Sequence, residues 1–238
     1  MKVLLALCLL LLTAFDQKPP ATCKNGPYIL QQSIHQHDPN GVWLHTEFDM
    51  VVEEPRKQVP TRASLVKLNV ANGAFEMQRA RDGRTTTHLV DETGKAATLL
   101  DGQVETDTAL IKKYFMQPER NANYRNYYRF MYGLPMVLDQ PGINMGKVGS
   151  SQFEGQTVIH IDFTMEQPMI AKTWRVFFDK NDYHVLGIQT MDNAEEGEYL
   201  VFNGSAEIEG LKLPRFRHWY DSQTNEYLGS DLLIRSQK

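Results

Sequence analysis

Short runs of alternating hydrophobic and polar residues recur along most of the chain. In the segment 42–53, Glu47 and Asp49 lie between residues of one apolar face, namely Val42, Leu44, Phe48, Met50 and Val52. Successive side chains of a strand point to opposite faces, so this segment predicts a long half-buried strand. Further strands are predicted at 64–70, 74–81, 84–90, 96–100, 157–165, 173–178, 184–191, 199–202, 212–220 and 227–234. Asn-Gly and Asp-Gly pairs between the early runs are hairpin signals and indicate an antiparallel meander.

Three segments carry the i, i+3, i+4 spacing of amphipathic helices instead. They cover 28–37, 105–116 and 121–131. The turn at 38–41 ends the first helix, Thr106 or Asp107 can cap the second, and Pro118 separates the second from the third. The sequence therefore predicts a mainly β, α+β fold with about eleven strands and two or three helices.

The first residues have the layout of an export signal. Lys2 gives a positive start, an apolar run fills 3–14, and polar residues precede Pro19 and Pro20. The run is too short for a transmembrane helix, which needs ~20 apolar residues. We expect a signal peptide and leader at 1–21 followed by one domain at 22–238, the alternative being a buried N-terminal helix.

The cysteine positions bear on membrane anchoring. Cys8 lies inside the apolar run, and Cys23 follows Pro-Ala-Thr where a lipoprotein signal has a Leu-small-small pattern. We therefore expect an exported protein that is periplasmic or associated with the envelope, without a transmembrane span once the signal is removed. Lipid anchoring is an alternative, although the sequence has no good lipoprotein signal.

Charge and composition narrow the function classes. The chain has 25 Lys and Arg against 29 Asp and Glu, a net charge of −4, so no basic excess favours nucleic-acid binding. Three Trp, ten Tyr, eleven Phe and ten Met are spread over the predicted strands and helices. Flat aromatic rings and flexible methionines adapt to irregular apolar ligands.

Motifs for catalysis are few. No Ser lies in a Gly-x-Ser-x-Gly elbow, and no Gly-rich phosphate loop is found. The acidic pair Glu53 and Glu54 lies near a strand end and is expected to be solvated. His35, His37 and Asp38 could bind zinc with a third ligand, although residues i and i+2 of a helix face different ways. The other interpretation is a helix C-terminus with an Asx turn, and we expect no cofactor.

The segment 214–220 is both basic and aromatic. On a strand, Arg215, Arg217 and Trp219 share one face. Stacking of arginine on aromatic rings could form a surface for a ligand or for an envelope protein partner. The alternative is an ordinary strand between solvent and core.

Several motifs together resemble a known family. They are His-Asp-Pro-Asn-Gly-Val-Trp at 37–43, Tyr-Gly-Leu-Pro-Met at 132–136, Lys-Thr-Trp at 172–174, Glu-Gly-Glu-Tyr at 196–199 and Gly-Leu-Lys-Leu-Pro-Arg-Phe-Arg-His-Trp-Tyr at 210–220. This set resembles an uncharacterised family of exported bacterial proteins, often lipoproteins, known only as a domain of unknown function. More distantly, the layout is similar to the lipoprotein-carrier (LolA/LolB-like) superfamily. That resemblance implies a strongly curved antiparallel sheet, or unclosed β-barrel, of about eleven strands wrapping two or three helices.

Composition and resemblance together favour an exported, non-enzymatic binding protein that holds a lipid, acyl chain or other apolar ligand in a concave sheet. The predicted ligand contacts are Trp43, Phe48, Met50, Phe115, Tyr128, Met131, Phe163, Trp174, Arg217 and Trp219. Two alternatives remain open. One is a metal-assisted hydrolase around His35, His37 and Asp38, and the other is a structural or interaction protein of the envelope.

Overall fold

The fold is that of a computed structural model, which describes residues 25–192 and 197–236. The predicted signal peptide and leader at 1–21 lie outside the described residues. The helices are α1 (Gly26–His37), α2 (Thr108–Lys113) and α3 (Glu119–Gly133), with short 3-10 helices at Trp43–His45 and Met136–Asp139. None of the helices in the described part of the chain is both long and apolar enough to cross a membrane.

Fifteen strands are present in the described residues. The first six are β1 (Glu47–Arg56), β2 (Val59–Asn69), β3 (Phe75–Arg81), β4 (Arg84–Val90), β5 (Ala96–Leu100) and β6 (Gln103–Val104). After the helices come β7 (Ile143–Phe153), β8 (Gln156–Met165), β9 (Thr173–Phe178), β10 (Val185–Thr190), β11 (Glu198–Asn203), β12 (Ala206–Ile208), β13 (Leu211–Leu213), β14 (Phe216–Asp221) and β15 (Tyr227–Ser236).

Thirteen of these strands form one curved antiparallel sheet that does not close. Its order is β6-β5-β4-β3-β2-β1-β15-β14-β11-β10-β9-β8-β7, and β12 pairs with β13 in a separate ribbon. Two meanders are thus joined where β1 pairs with β15, with Glu53 opposite Leu232. The predicted mainly β, curved antiparallel fold is confirmed.

The strand count differs from the prediction for physical reasons. β7 lies at one edge of the sheet, and its residues are mostly solvent-accessible, so its hydrophobic alternation is weak. β6 and β12 have two and three residues, too few to show a period. The predicted strand 212–220 is two strands, because Pro214 and Arg215 separate β13 from β14.

The first strand begins later than its alternation predicts. The Asp38 carboxylate accepts hydrogen bonds from the backbone N–H groups of Val42 (2.8 Å) and Trp43 (2.9 Å). These bonds hold the chain in a turn that continues as a 3-10 helix, so Leu44 is 47% exposed instead of buried. At its other end β1 continues through Pro55, where the pairing with β2 is shifted and the missing N–H is tolerated.

Helix positions follow the predictions closely. Asp107 caps α2, since its Oδ1 accepts from the N–H groups of Ala109 (2.7 Å) and Leu110 (3.3 Å). Pro118 occupies the N-cap of α3, as expected for the break between the two helices. α2 is shorter than predicted and is followed by Phe115, whose φ of 58° cannot continue a helix.

The core lies between the concave face of the sheet and the helices. Inward residues of β1, β2 and β3 meet α3, where the Tyr128 ring lies 5.9 Å from that of Phe75. On the other half of the sheet, Phe130 packs 5.3 Å from Trp174. At the end of α3, a Cβ on Gly133 would lie only 2.5 Å from the Trp43 ring, so glycine permits this close approach.

His37 fastens the end of α1 to the sheet. Its Nδ1–H donates to the carbonyl of Lys212 (2.6 Å), and its Nε2 accepts from the N–H of Val185 (3.1 Å). Because Nε2 must be unprotonated to accept, the ring is neutral in the folded protein. Burial is the main cause that lowers the pKa of His37 from its ordinary value of 6.5 to about 4.

Replacing Gly187 by Ala will destabilise the fold. The added Cβ would overlap the carbonyl oxygen of Leu200 and lie 2.6 Å from Cζ of Phe153. A backbone atom of a neighbouring strand cannot move away, so the free energy of unfolding should fall by about 3 kcal/mol. Gly146→Ala is the control, because its nearest contact is 3.2 Å; urea unfolding of both variants checks the prediction, and equal losses would contradict it.

The stability of the protein should fall as the pH is lowered from 7 to 5. The unfolded state takes up a proton at His37 near pH 6.5, whereas the folded state does so only near pH 4. Folding free energy is therefore fully present above pH 6.5 and is lost as the pH falls through this window, by about 2 kcal/mol at pH 5. Urea unfolding at both pH values measures the loss, and His37→Gln should reduce it; an unchanged pH dependence in that variant would refute the assignment.

Candidate functional site

Two adjoining clefts open along helix α3. The first lies against strands of both meanders, and the second lies against β2, β3 and β4 of the first meander. The first, here called the aromatic cleft, has a volume of about 560 Å³. It is lined by Glu54, Arg56, Arg62, Arg79, Asn123, Tyr124, Tyr127, Tyr128, Met169, Ile170, Glu198, Trp219 and Leu228. The second, here called the arginine cleft, has a volume of about 670 Å³. It is lined by Val59, Pro60, Thr61, Arg62, Arg79, Ala80, Arg81, Asp82, Thr86, His88, Tyr114, Phe115, Arg120 and Tyr124.

Glu54 supplies the negative charge beneath both clefts. Its carboxylate accepts from Arg62 (3.0 Å), Arg79 (3.0 Å) and the hydroxyl of Ser64 (2.5 Å), and it lies 3.8 Å from Arg56. Burial opposes ionisation, but the guanidinium groups of Arg79 and Arg62 outweigh it and lower the pKa of Glu54. Glu54 is 2% exposed, so the expectation of a solvated acidic pair is wrong for this residue.

A second buried carboxylate, Asp231, lies on β15 beside Glu54. It accepts from Arg56 (2.6 Å), from the Trp219 indole N–H (3.2 Å) and from the hydroxyl of Tyr127. Burial first, and the charge of Asp231 second, raise the pKa of Tyr127 well above its ordinary value. The phenol therefore stays protonated and keeps donating, which fixes the Tyr127 and Trp219 rings in a stacked pair with centroids 6.4 Å apart.

Arg79 connects the two clefts. Its Nε donates to Ser64 (3.0 Å), its Nη2 bonds Glu54, and the guanidinium lies 5.4 Å from the Tyr124 ring centroid. Arg62, Arg79 and Tyr124 line both clefts, so the polar wall of one continues into the other.

The arginine cleft has an aromatic residue at its rim. Phe115 is 43% exposed and has a φ of 58°, a conformation that a bulky side chain rarely adopts. The guanidinium of Arg81 lies 5.1 Å from its ring centroid, and that of Arg120 lies 4.9 Å from it. The ring is thus held in contact with two cations.

His88 is buried at the base of the same cleft. Its Nδ1 lies 2.7 Å from Oδ1 of Asn121, whose amide donates to the carbonyls of Leu89 (3.2 Å) and Ala97 (2.7 Å). Asn121 Oδ1 is therefore the acceptor, and His88 carries its proton on Nδ1. Burial mainly, and then the charges of Arg79 and Arg120, lower the pKa of His88.

Most of the predicted ligand contacts lie in the packed core. Seven of them are at most 2% exposed within one hydrophobic cluster, namely Trp43, Phe48, Met50, Tyr128, Met131, Phe163 and Trp174. Tyr128 and Trp219 line the aromatic cleft, and Phe115 lines the arginine cleft. The structure therefore brings three of the ten to the candidate site, and their contact with a ligand stays a prediction.

Arg217 is fully buried. Its guanidinium lies 3.9 Å from the Tyr132 ring centroid and donates to the carbonyls of Met131 (3.2 Å) and Pro214 (3.0 Å). Trp219, on the same face of β14, also points inward and is 8% exposed. Neither side chain is therefore available on the outer surface for a protein partner.

The segment that contains His35, His37 and Asp38 has a structural role at the end of α1. Both ring nitrogens of His37 bond the backbone, and the Asp38 carboxylate accepts from two N–H groups, while His35 is exposed. These bonds do not support the zinc alternative.

A separate group of possible metal ligands lies in the turn before β10. In the described residues, ligand atoms of Asp179, Asp182 and His184 lie within 4.8 Å of one another. Asp179 accepts from the N–H of Asn181, and Asp182 bonds His184, as expected for a tight turn.

Sequence reasoning missed the charged part of the site. Glu54, Arg79, Tyr127 and Asp231 come from β1, β3, α3 and β15, so no local motif contains them. One feature of the sequence indicates that Glu54 is buried. The alternation of Phe48, Met50 and Val52 continues to Glu54 on the inward face of β1.

The chain is similar to several known proteins. No curated protein matches its sequence. Among solved structures, it is similar to a LolA superfamily protein from Nitrosomonas europaea, with 6% identity, coverage of 89% of this chain and 92% of that chain, and a TM-score of 0.46. A structure described as an outer membrane lipoprotein-sorting protein domain, from Vibrio parahaemolyticus, has 16% identity, coverage of 88% and 91%, and a TM-score of 0.48. A DUF1329 family protein from Desulfovibrio piger has 10% identity, coverage of 86% and 90%, and a TM-score of 0.49.

A family model matches nearly the whole sequence. It is the family of unknown function DUF6503, and the match covers residues 1–236. The resemblance to an uncharacterised family that the motifs predict is thereby confirmed. This chain belongs to the DUF6503 family.

Proposed function

We propose that this protein is a non-enzymatic binding protein that holds an apolar chain, such as the acyl chain of a lipid, in the aromatic cleft. The observation that carries the proposal is the cleft itself, where four aromatic rings and three aliphatic or thioether side chains line one space of about 560 Å³. Volumes of this order are typical of small-molecule sites. The bound chain would lie over the Tyr127 and Trp219 rings.

The rim of the aromatic cleft carries exposed apolar surface. Ile170 is 51% exposed, and Met169 and Leu228 lie beside it in the lining. Exposed aliphatic side chains at the mouth of a cleft cost free energy in water, and a bound acyl chain would cover them. This supports an apolar ligand.

The polar groups beneath the aromatic cleft are suited to holding its aromatic rings in place. Both Glu54 and Asp231 are saturated with donors, and Tyr127 and Tyr128 have raised pKa values that keep them protonated, burial being the main cause. Groups fixed in this way hold the aromatic rings in place and are poor acids and bases. This favours binding over hydrolysis.

The proposed location is the bacterial envelope. The predicted signal peptide at 1–21 would deliver the domain outside the cytoplasm, where lipids and lipoproteins are in transit. Mass spectrometry of the N-terminus of the exported protein tests the cleavage, and organic extraction of the purified protein identifies any bound lipid.

A brominated acyl chain bound in the aromatic cleft should quench tryptophan fluorescence through Trp219. Trp219 lines the cleft, whereas Trp43 and Trp174 are buried in the core and are not among its lining residues. Titration with a dibrominated stearic acid should therefore reduce the emission, and Trp219→Phe should abolish the reduction.

Trp43→Phe is the matched control for this titration. The buried Nε1 of Trp43 has no hydrogen-bond partner among the described residues, so the replacement removes no bond and should leave the quenching intact. Absence of quenching in the wild-type protein, or quenching that survives in Trp219→Phe, would overturn the proposed site.

Ile170→Ser should weaken binding of the same ligand about fivefold without lowering stability. Ile170 is half exposed in the free protein, so its removal costs little folding free energy, but the bound chain loses part of its apolar contact. The exposed Val104, at the far edge of the sheet, provides the control substitution Val104→Ser. Equal affinities of the two variants, measured by the fluorescence titration, would contradict the prediction.

A further inference from the structure

The arginine cleft is strongly positive in a protein whose net charge is −4. Its lining contains four arginines and one carboxylate, that of Asp82. Asp82 is paired with Lys113, whose Nζ lies 3.4 Å away. The carboxylate of Glu54 compensates Arg62 and Arg79 from below.

The two remaining arginines have no such compensation. Among residues 25–192 and 197–236, no carboxylate lies within 4.0 Å of Arg81 or Arg120. Arg81 donates to the backbone carbonyl of Lys113 (3.2 Å), and Arg120 to the side-chain oxygen of Gln117 (2.8 Å). Both partners are neutral, so the charges of Arg81 and Arg120 remain available to an anion.

Phe115 holds these two guanidinium groups at the cleft. A ring contact uses the flat face of a guanidinium and leaves the N–H groups at its edge free to donate. The left-handed conformation of Phe115 is what carries its ring to this position after α2 ends. A phenylalanine kept in an unfavourable conformation and 43% exposed is better explained by a role in binding than by packing.

The surroundings of His88 agree with a positive field in the cleft. The charges of Arg79 and Arg120 add to the effect of burial in lowering the pKa of this ring. A negative ligand group would find the uncompensated charge of Arg120 in the same cleft.

Resting on the function proposed above, we propose that the ligand is an anionic amphiphile. Its carboxylate or phosphate head would bind Arg81 and Arg120 beside Phe115, with Arg62 at the junction of the clefts. Its apolar chain would continue into the aromatic cleft. Because Arg62, Arg79 and Tyr124 line both clefts, one molecule can occupy the two together.

The test compares the binding of a dibrominated stearic acid with that of its methyl ester to the purified exported protein at pH 7. The two probes share the same chain, so the difference in their dissociation constants measures recognition of the head group. The acid should bind about tenfold more tightly. The double variant Arg81→Gln, Arg120→Gln should remove that preference while leaving the affinity for the ester unchanged, and inorganic phosphate should compete only with the acid.

Arg125→Gln is the matched control. Arg125 lies on α3, lines neither cleft and donates to Asn126 (3.3 Å), so its replacement removes one positive charge, as each single replacement of Arg81 or Arg120 does, without touching the cleft lining. It should leave the preference for the acid intact, and circular dichroism melting shows that each variant is folded. If the double variant is unfolded, the single variants replace it.

The outcomes separate the two proposals. Equal binding of acid and ester, or loss of the preference in Arg125→Gln as well, overturns the anionic head group and leaves the apolar site standing. Failure of both amphiphiles overturns the proposed function and this inference together. Binding of phosphate alone, lost in the double variant, likewise overturns the amphiphile and indicates a free anion as the ligand.

Discussion

The antiparallel pairing of β1 with β15 is the interaction on which the rest of this fold depends. It joins residues about 180 positions apart, such as Val52 and Leu233, and turns two separate meanders into one thirteen-stranded sheet. Non-local pairings of this kind carry a large loop-closure cost that only a shared core can offset. Here the shared core is the concave face that α3 covers from β3 to β9.

The same pairing creates the candidate site. It brings Glu54 and Arg56 of β1 next to Asp231 of β15, so two buried carboxylates and their arginines form one connected network. Buried charges are tolerated only when they are paired and hydrogen-bonded, which explains why nearly every donor and acceptor in this network is used. The network in turn fixes Tyr127 and Trp219, while Arg81 and Arg120 lie outside it and keep their charge for the cleft.

Local patterns account for much of what the sequence predicts correctly. Tight turns with Gly at positive φ, such as Gly73 and Gly83, and the Asp107 cap need only neighbouring residues. The errors arise where distant groups intervene. Asp38 converts the start of the first strand into a 3-10 helix, and an edge position leaves β7 without a clear alternation. From the sequence, Glu54 is expected to be a surface charge, because the sequence does not show that three arginines surround its carboxylate.

By itself, the sequence determined the antiparallel meanders, the three helices and the family, because hydrophobic period, turn residues and motif order are properties of adjacent positions. Only the tertiary structure decided which aromatic residues are core and which line a cleft. Met131 and Trp219 are alike as apolar residues in sequence, yet Met131 on α3 is packed in the core and Trp219 on β14 lines the aromatic cleft. That distinction depends on how closely α3 approaches the sheet along its length, which no local pattern encodes.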